Sequence, residues 1–422
     1  MILALEYHRS PARYVASRGL TAVNAGRWMT GAISGNLSPL RLVNRDAPQL
    51  PGPGWTRVAP MLSGICGSDM ALLTGRASPY LSPLTSMPFV PGHEVVGETL
   101  DDLPQIPKGS RVVLDPVLSC GPRATQPCRW CASGEQNRCD HITTGALSAG
   151  LQTGFCGDTG GGWSWQFVAH ADQLHLIPGE LPNERAILTE PLACAIHSVR
   201  RAEIRSGASV VIVGAGTVGL LTLLAIRELT PAGPVYLMAK HAHQRSRAKA
   251  LEATALIDPG RGVRALRRVT TARMHVPEQG SGFLLGGVDM AFECSGTPGG
   301  LNTALRLVRA GGTVVVSGMP AGGVDLTPLW YRELHLVGAY ASRSGPVSGA
   351  PAGPGLAPEA ELGHPGAQAG DFETALRLAG SSVLDGYVDT RYPLGRWREA
   401  LNHAANAGQL GTVKVAFDLT RR

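Results

Sequence analysis

Cys66, His93 and Glu94 stand in two short glycine-bearing segments, Gly64-Ile-Cys-Gly-Ser-Asp69 and Pro91-Gly-His-Glu-Val-Val-Gly97. A thiolate, an imidazole and a carboxylate are ligand types of a catalytic zinc site, which keeps one exchangeable position. Further along, Val210-Val-Ile-Val-Gly-Ala-Gly-Thr-Val-Gly219 has the glycine spacing of a dinucleotide-binding turn. A metal that polarises a C–O bond beside a nicotinamide that exchanges hydride is the chemistry this pair would supply. Taken singly, each feature has a plainer reading. A lone Cys is a small buried hydrophobe, a lone His a hydrogen-bonded core residue, and a glycine turn a tight strand-to-helix connection. A third ligand is offered by Glu190 in Leu188-Thr-Glu-Pro-Leu-Ala-Cys-Ala-Ile-His197, a carboxylate that also suits a helix amino terminus. Cys194 and His197, further along the same helix, remain open as alternatives.

Cys120, Cys128, Cys131 and Cys139 follow the spacing C-x7-C-x2-C-x7-C. Four thiolates so close in sequence can close a tetrahedron around zinc with no open position, so this lobe should stabilise and perform no chemistry. A thiol-rich loop without metal, or disulfides in an oxidising compartment, would be the alternatives.

In the dinucleotide segment an apolar strand precedes the glycines and an apolar helix follows. Backbone N–H groups and the helix dipole would then face a pyrophosphate from Gly214, Gly216, Thr217, Val218 and Gly219. An NAD site usually ends its second strand with Asp or Glu. Here Val235-Tyr-Leu-Met-Ala ends in Lys240, followed by His241, His243 and Arg245. Lys240 and Arg245 could pair with a 2′-phosphate, which favours NADP over NAD.

The elements that must position these groups fall into two textures. The first third reads as all-β, with short runs at Arg41-Leu-Val, Thr56-Arg-Val-Ala-Pro, Val95-Val-Gly-Glu-Thr and Arg111-Val-Val-Leu-Asp separated by Pro and Gly clusters. From about Asn183, strands alternate with helices. Strands are expected at 210–213, 235–239, 288–293 and 312–317, and helices at 218–229, 245–255 and 300–309. That alternation implies a doubly wound parallel sheet. Residues 343–370, rich in Gly, Pro, Ala and Ser, read as a surface insertion. Helical patterns at 372–378 and 397–402 and a strand at 412–418 follow.

Together these segments resemble the zinc-dependent medium-chain alcohol dehydrogenase family, and within it the sorbitol and threonine dehydrogenase-like branch. The resemblance rests on Gly-Ile-Cys-Gly-Ser-Asp, Pro-Gly-His-Glu-Val-Val-Gly, Thr-Glu-Pro-Leu-Ala, the four-cysteine lobe, Val-Gly-Ala-Gly-Thr-Val-Gly and Glu293-Cys-Ser-Gly296, in the family's order. It implies a GroES-like β-rich catalytic domain over 1–188 and 341–422, with a structural zinc lobe at 120–139. A Rossmann domain would occupy 189–340. It further implies that Cys66, His93 and Glu190 hold a catalytic zinc, with Glu94 as a conditional ligand. Ser68 would begin the proton path, Asp69 would orient His93, and Ser295 would join the cofactor contacts. Two departures stand out. Many relatives carry a proton-relaying His where this chain has Ala71, and the first gap of the cysteine lobe is longer than the usual two residues.

The expected activity is hydride transfer between a secondary, polyol-like alcohol or its ketone and NADP(H). An NAD-dependent enzyme, a non-redox lyase and a catalytically silent cofactor-binding protein are the competing readings. At 422 residues, 44% apolar and 17% charged, the chain suits a two-domain globular protein. Its net charge of +6 is scattered, with lysine only at 108, 240, 249 and 414, so no nucleic-acid surface is expected. The amino terminus lacks signal-peptide regions, and the longest apolar stretch is broken by glycines. These features point to a cytoplasmic protein with no membrane partner, its eight cysteines reduced. The family resemblance adds a homodimer or homotetramer.

Overall fold

The computed structural model describes residues 1–13, 15, 19, 35, 38–343 and 369–421, and resolves them into two compact units. One comprises Met1–Glu190, Ala341–Ala407 and Lys414–Arg422; the other comprises Pro191–Tyr340 and Gly408–Val413. Gly408–Val413 therefore groups with the dinucleotide-binding unit, whereas the sequence reading gave it to the catalytic domain. One tie is the Thr217 hydroxyl, which donates to the Val413 carbonyl at 3.0 Å. Residues 344–368, the body of the expected surface insertion, lie outside the described residues.

The first unit is built on a seven-stranded sheet. Its path runs Thr390–Pro393, Val415–Asp418, Trp55–Gly64, Val95–Thr99, Arg111–Leu114 and Leu174–Leu176, and Phe167–His170 pairs with Trp55–Gly64 off that path. All pairings are antiparallel except that of the first two strands. Val58, Val95, Val112, Leu114, Phe167 and Leu174 form one of its cores. A second core gathers Leu5, Phe89, Trp163, Trp397 and Phe417. The all-β reading missed the helix Gly67–Leu73. Its start is set by Asp69, whose carboxylate accepts the Cys66 N–H at 2.9 Å, a cap that leaves little trace in hydrophobic periodicity.

The second unit carries a six-stranded parallel sheet in the order Ala255–Ile257, Val235–Met238, Val210–Val213, Val288–Glu293, Val308–Val316, His335–Gly338. This is the Rossmann order, with the direction of winding reversing between Val210–Val213 and Val288–Glu293. Val210–Val213 is buried along its whole length, as a central parallel strand must be. Helix Thr217–Leu229 follows it and buries Leu220, Leu221, Leu223 and Ile226, each contributing about 1.5–3 kcal/mol on removal from water.

Two helices lie earlier in the chain than the sequence reading placed them. The helix expected at 245–255 spans Ala242–Ala250: the Gln244 side chain accepts the His241 N–H at 3.2 Å and caps it early, while Ala255 already belongs to a strand. The helix expected at 300–309 spans Pro298–Leu307, because Thr297 caps Gly300 N–H at 3.0 Å and Val308 opens the next strand. A hairpin of Arg273–His275 with Phe283–Leu285 was not foreseen. Among the described residues no helix is long and apolar enough to cross a membrane.

Candidate active site

Three strand ends converge in the first unit. Ser63 pairs with Val95, and Gly64 N–H donates to the Glu94 carbonyl at 2.8 Å. That register brings Cys66, just past one strand, to His93 and Glu94, just before the other. On the opposite side Gly64 pairs with Ala416, and Ile65 N–H donates to the Val415 carbonyl at 3.0 Å, which delivers Lys414. The ligand atoms of Cys66, His93 and Glu94 lie within 4.8 Å of one another. His93 and Glu94 are buried and Cys66 is half-buried.

Gly92, at φ 99°, sets the approach of His93, since a Cβ there would lie 2.5 Å from Trp163 Cδ1. Ser68 Oγ lies 3.4 Å from His93 Nε2, while His93 Nδ1 faces Asp69 Oδ1 at 3.7 Å. Burial disfavours an imidazolium at His93, but the negative charges of Asp69, Cys66 and Glu190 outweigh it and raise the pKa to about 10. Burial itself pushes the Asp69 carboxyl upward. Anionic groups thus crowd this pocket of the first unit, and its donor set of sulfur, nitrogen and carboxylate oxygen fits zinc better than the all-oxygen preference of calcium or magnesium. Glu190, in the first turn of Thr189–Ala202, is buried and acts on His93 and Lys414 through its charge, but it stands outside the three-residue group. Cys194 and His197 lie further along that helix and also stand outside the group.

Lys414 is the group that the sequence reading passed over. Its ammonium pairs with the Glu94 carboxylate, both side chains being buried. Burial works against the ammonium, yet Glu94, Cys66 and Glu190 raise its pKa. Gly64 makes room for the pair: a Cβ there would lie 2.9 Å from Lys414 Cε and closer still to the Glu94 carboxylate. The scarcity of lysine in this chain was the one available signal.

Cys120, Cys128, Cys131 and Cys139 form the second metal-competent group, again within 4.8 Å, and none is in a disulfide. Cys120 Sγ and Cys139 Sγ are 3.6 Å apart, close to the roughly 3.8 Å edge of a tetrahedron with Zn–S bonds near 2.3 Å. Cys120 Sγ accepts the Cys128 N–H at 3.2 Å and Cys139 Sγ the His141 N–H at 3.3 Å, bonds that suit thiolates. The lengthened first gap carries Arg123, which is fully buried. Its guanidinium donates to the carbonyls of Leu118, Thr144, Leu147, Ser148 and Gly150 at 2.7–3.2 Å. The extra residues therefore supply an internal brace for the loop that follows the lobe. Arg123→Ala should cost about 3 kcal/mol or more, because carbonyls are left unpaired in the core. Denaturant melts should show lower stability, and zinc added to the lobe should be retained more weakly; an unchanged midpoint would refute the brace.

In the second unit Gly214 leaves the central strand at φ 111°, where a Cβ would lie 2.9 Å from Ser295 N. Gly219 packs against the Gly214 carbonyl too closely for any side chain. Gly216, the residue before helix Thr217–Leu229, faces open space, and nothing around it blocks a phosphate from its backbone. The Thr217 hydroxyl is already engaged with Val413, so only its backbone is free for that role. Ser295 is held by Glu293, whose buried carboxylate accepts Ser295 N–H at 2.8 Å, the Ser295 hydroxyl, and Gly296 N–H at 3.2 Å. Glu293 thus shapes the turn beside the glycines, a role its place in Glu-Cys-Ser-Gly did not reveal. At the end of the second strand Lys240 is exposed, and Arg245 is half-buried with Nη1 on the Ala239 carbonyl at 3.2 Å.

Residues 52–179 match the alcohol dehydrogenase GroES-like domain, and residues 217–350 match the zinc-binding dehydrogenase family. L-idonate 5-dehydrogenase of Vitis vinifera is 30% identical over 76% of this chain and 81% of its own length. Sorbitol dehydrogenase of Arabidopsis thaliana is 29% identical over 75% and 80%. A solved structure described as a zinc-binding dehydrogenase from Sinorhizobium meliloti 1021 bound to NADP covers 99% of both chains at 25% identity and a TM-score of 0.66. The chain belongs to the zinc-dependent medium-chain alcohol dehydrogenase family, a family of NAD(P)-dependent oxidoreductases. Within it, the relatives identify the sorbitol dehydrogenase-like branch.

Proposed function

We propose that the chain is a zinc-dependent dehydrogenase that transfers hydride between a secondary, polyol-like alcohol or its ketone and NADP(H). The observation that carries this reading is the convergence of Cys66, His93 and Glu94 with the Ser68 hydroxyl 3.4 Å from His93 Nε2. Cys66, His93 and Glu190 would hold the metal. Bound there, zinc supplies a Lewis acid that lowers the pKa of a substrate hydroxyl. Ser68 would accept that hydroxyl's proton at Oγ, and Asp69 would hold the His93 ring from its other side. Glu94 would serve as a ligand only when released by Lys414. Ala71, on the same short helix as Ser68, offers no proton relay, so the proton leaves Ser68 by water, a cofactor hydroxyl or another residue. The four-cysteine lobe would hold a structural zinc.

The polyol class is supported by the names of the idonate and sorbitol relatives. Purified, zinc-loaded protein offered pools of secondary alcohols, polyols, sugars and hydroxy amino acids should change cofactor absorbance with one pool, and a chelator should abolish the change. No net cofactor turnover with zinc and cofactor bound would instead support a non-redox lyase or a silent cofactor-binding protein.

Lys240 and Arg245, with no carboxylate at the end of the second strand, support NADP, as does the NADP-bound relative. Lys240→Asp should lower kcat/KM with NADP by about tenfold to a hundredfold while sparing NAD, since it removes a cation and adds a charge that repels the 2′-phosphate. An unchanged NADP/NAD ratio would favour the NAD-dependent alternative. We further place the protein in the cytoplasm, in keeping with its free thiols. Trp330 and Tyr331, 80% and 66% exposed, support a homo-oligomer that covers this face.

A further inference from the structure

The second unit carries a solvent-open cavity of about 650 Å³ at the amino-terminal ends of its strands, lined by Asp289 and His335 among others. The dinucleotide turn leaves the carboxyl end of Val210–Val213, so the cavity lies on the opposite edge of the same parallel sheet. Three guanidinium groups line it: Arg201 in the last turn of Thr189–Ala202, Arg205, and Arg309.

Their charges are not equally spent. Asp289 accepts Arg309 Nε at 2.7 Å, and its other oxygen takes Ser209 N–H at 2.8 Å and the Ser209 hydroxyl at 2.6 Å. Arg309 is therefore neutralised and Asp289 is occupied. Glu203, the other carboxylate on the wall, is exposed and pairs with no cation among the described residues. Arg201 and Arg205 have no hydrogen-bond or ion-pair partner among the described residues, and Arg201 Nε is shut off from solvent. A desolvated guanidinium donor left unpaired is costly, which is what a preformed anion site looks like before its ligand arrives.

We propose that this cavity binds a phosphate monoester, gripped by Arg201 and Arg205, at a site separate from the dinucleotide turn. Two unspent guanidinium forks match the charge and the planar oxygen pairs of a phosphate dianion better than a single carboxylate. The volume falls within the usual range of small-molecule sites and leaves room for the organic part of the ligand. Asp289 and His335 line the same wall and would face hydroxyl groups of a sugar phosphate.

The test uses the zinc-loaded holoenzyme saturated with NADP(H), so that phosphate positions at the dinucleotide turn are filled. Glucose 6-phosphate, inorganic phosphate and succinate are titrated by calorimetry at constant ionic strength. Glucose 6-phosphate should bind wild type, and Arg201→Gln with Arg205→Gln should weaken that binding by about tenfold or more. Arg205→Glu, at an exposed position that cannot disturb the core, should do the same alone. Lys240→Asp should leave the affinity unchanged. Absence of binding to wild type, undiminished binding in both arginine variants, loss in Lys240→Asp, or equal affinity for succinate would each overturn the proposal.

Discussion

His93→Ala in zinc-loaded protein is expected to lower kcat/KM for the accepted alcohol by about a thousandfold or more, without loss of the lobe metal. The size follows from what the residue does. His93 is buried between Asp69 and Ser68, and no other imidazole belongs to either metal-competent group. On the proposed assignment His93 is a zinc ligand, and water cannot replace it without loss of both metal affinity and the geometry that would present a substrate oxygen to Ser68. With both proposed sites loaded, zinc content should fall by one per chain while the four-cysteine group keeps its own. Ser68→Ala is the companion measurement: it should leave metal content unchanged and still lose rate, because it removes the proposed proton acceptor and none of the proposed ligands. Full activity in His93→Ala would end the assignment of this site.

The second large effect concerns stability. Lys414→Met should destabilise the metal-free protein by about 3–5 kcal/mol, since it strands the Glu94 carboxylate without its counter-charge. Adding Glu94→Gln should restore a large part of that loss, because a neutral amide replaces an unpaired buried charge. With zinc bound the penalty should shrink, since Glu94 then has a second cation within reach. Chemical denaturation of the single and double variants, with and without metal, reads all three. A change below about 1 kcal/mol in the metal-free Lys414→Met protein would mean that water already reaches the pair.

Local signals in the chain went far where a residue type is imposed by backbone geometry or by metal chemistry. Gly214 and Gly219 were legible because one needs a positive φ and the other cannot carry a Cβ against its neighbour. The cysteine spacing was legible because few arrangements of four thiols close a tetrahedron. The strand Val210–Val213 was legible from its unbroken apolar run, the mark of a buried parallel sheet. Boundaries were weaker. Ala255 followed a helical pattern but sits in a strand, because the caps that decide an end are single side-chain bonds.

By itself, then, the sequence determined the two-part architecture, the metal-competent residue types and the glycine turn, all of which depend on short-range spacing. Tertiary structure alone decided the partners of buried charge. Lys414 meets Glu94 only because two strands from opposite ends of the chain flank Trp55–Gly64. Arg123 becomes a brace only because five carbonyls from its own vicinity and a later loop fold around it. Arg201, Arg205 and Arg309 line one cavity because the parallel strands begin on the same edge. Burial makes an unpaired charge expensive, and which charges are paired is a property of contacts that no local spacing encodes.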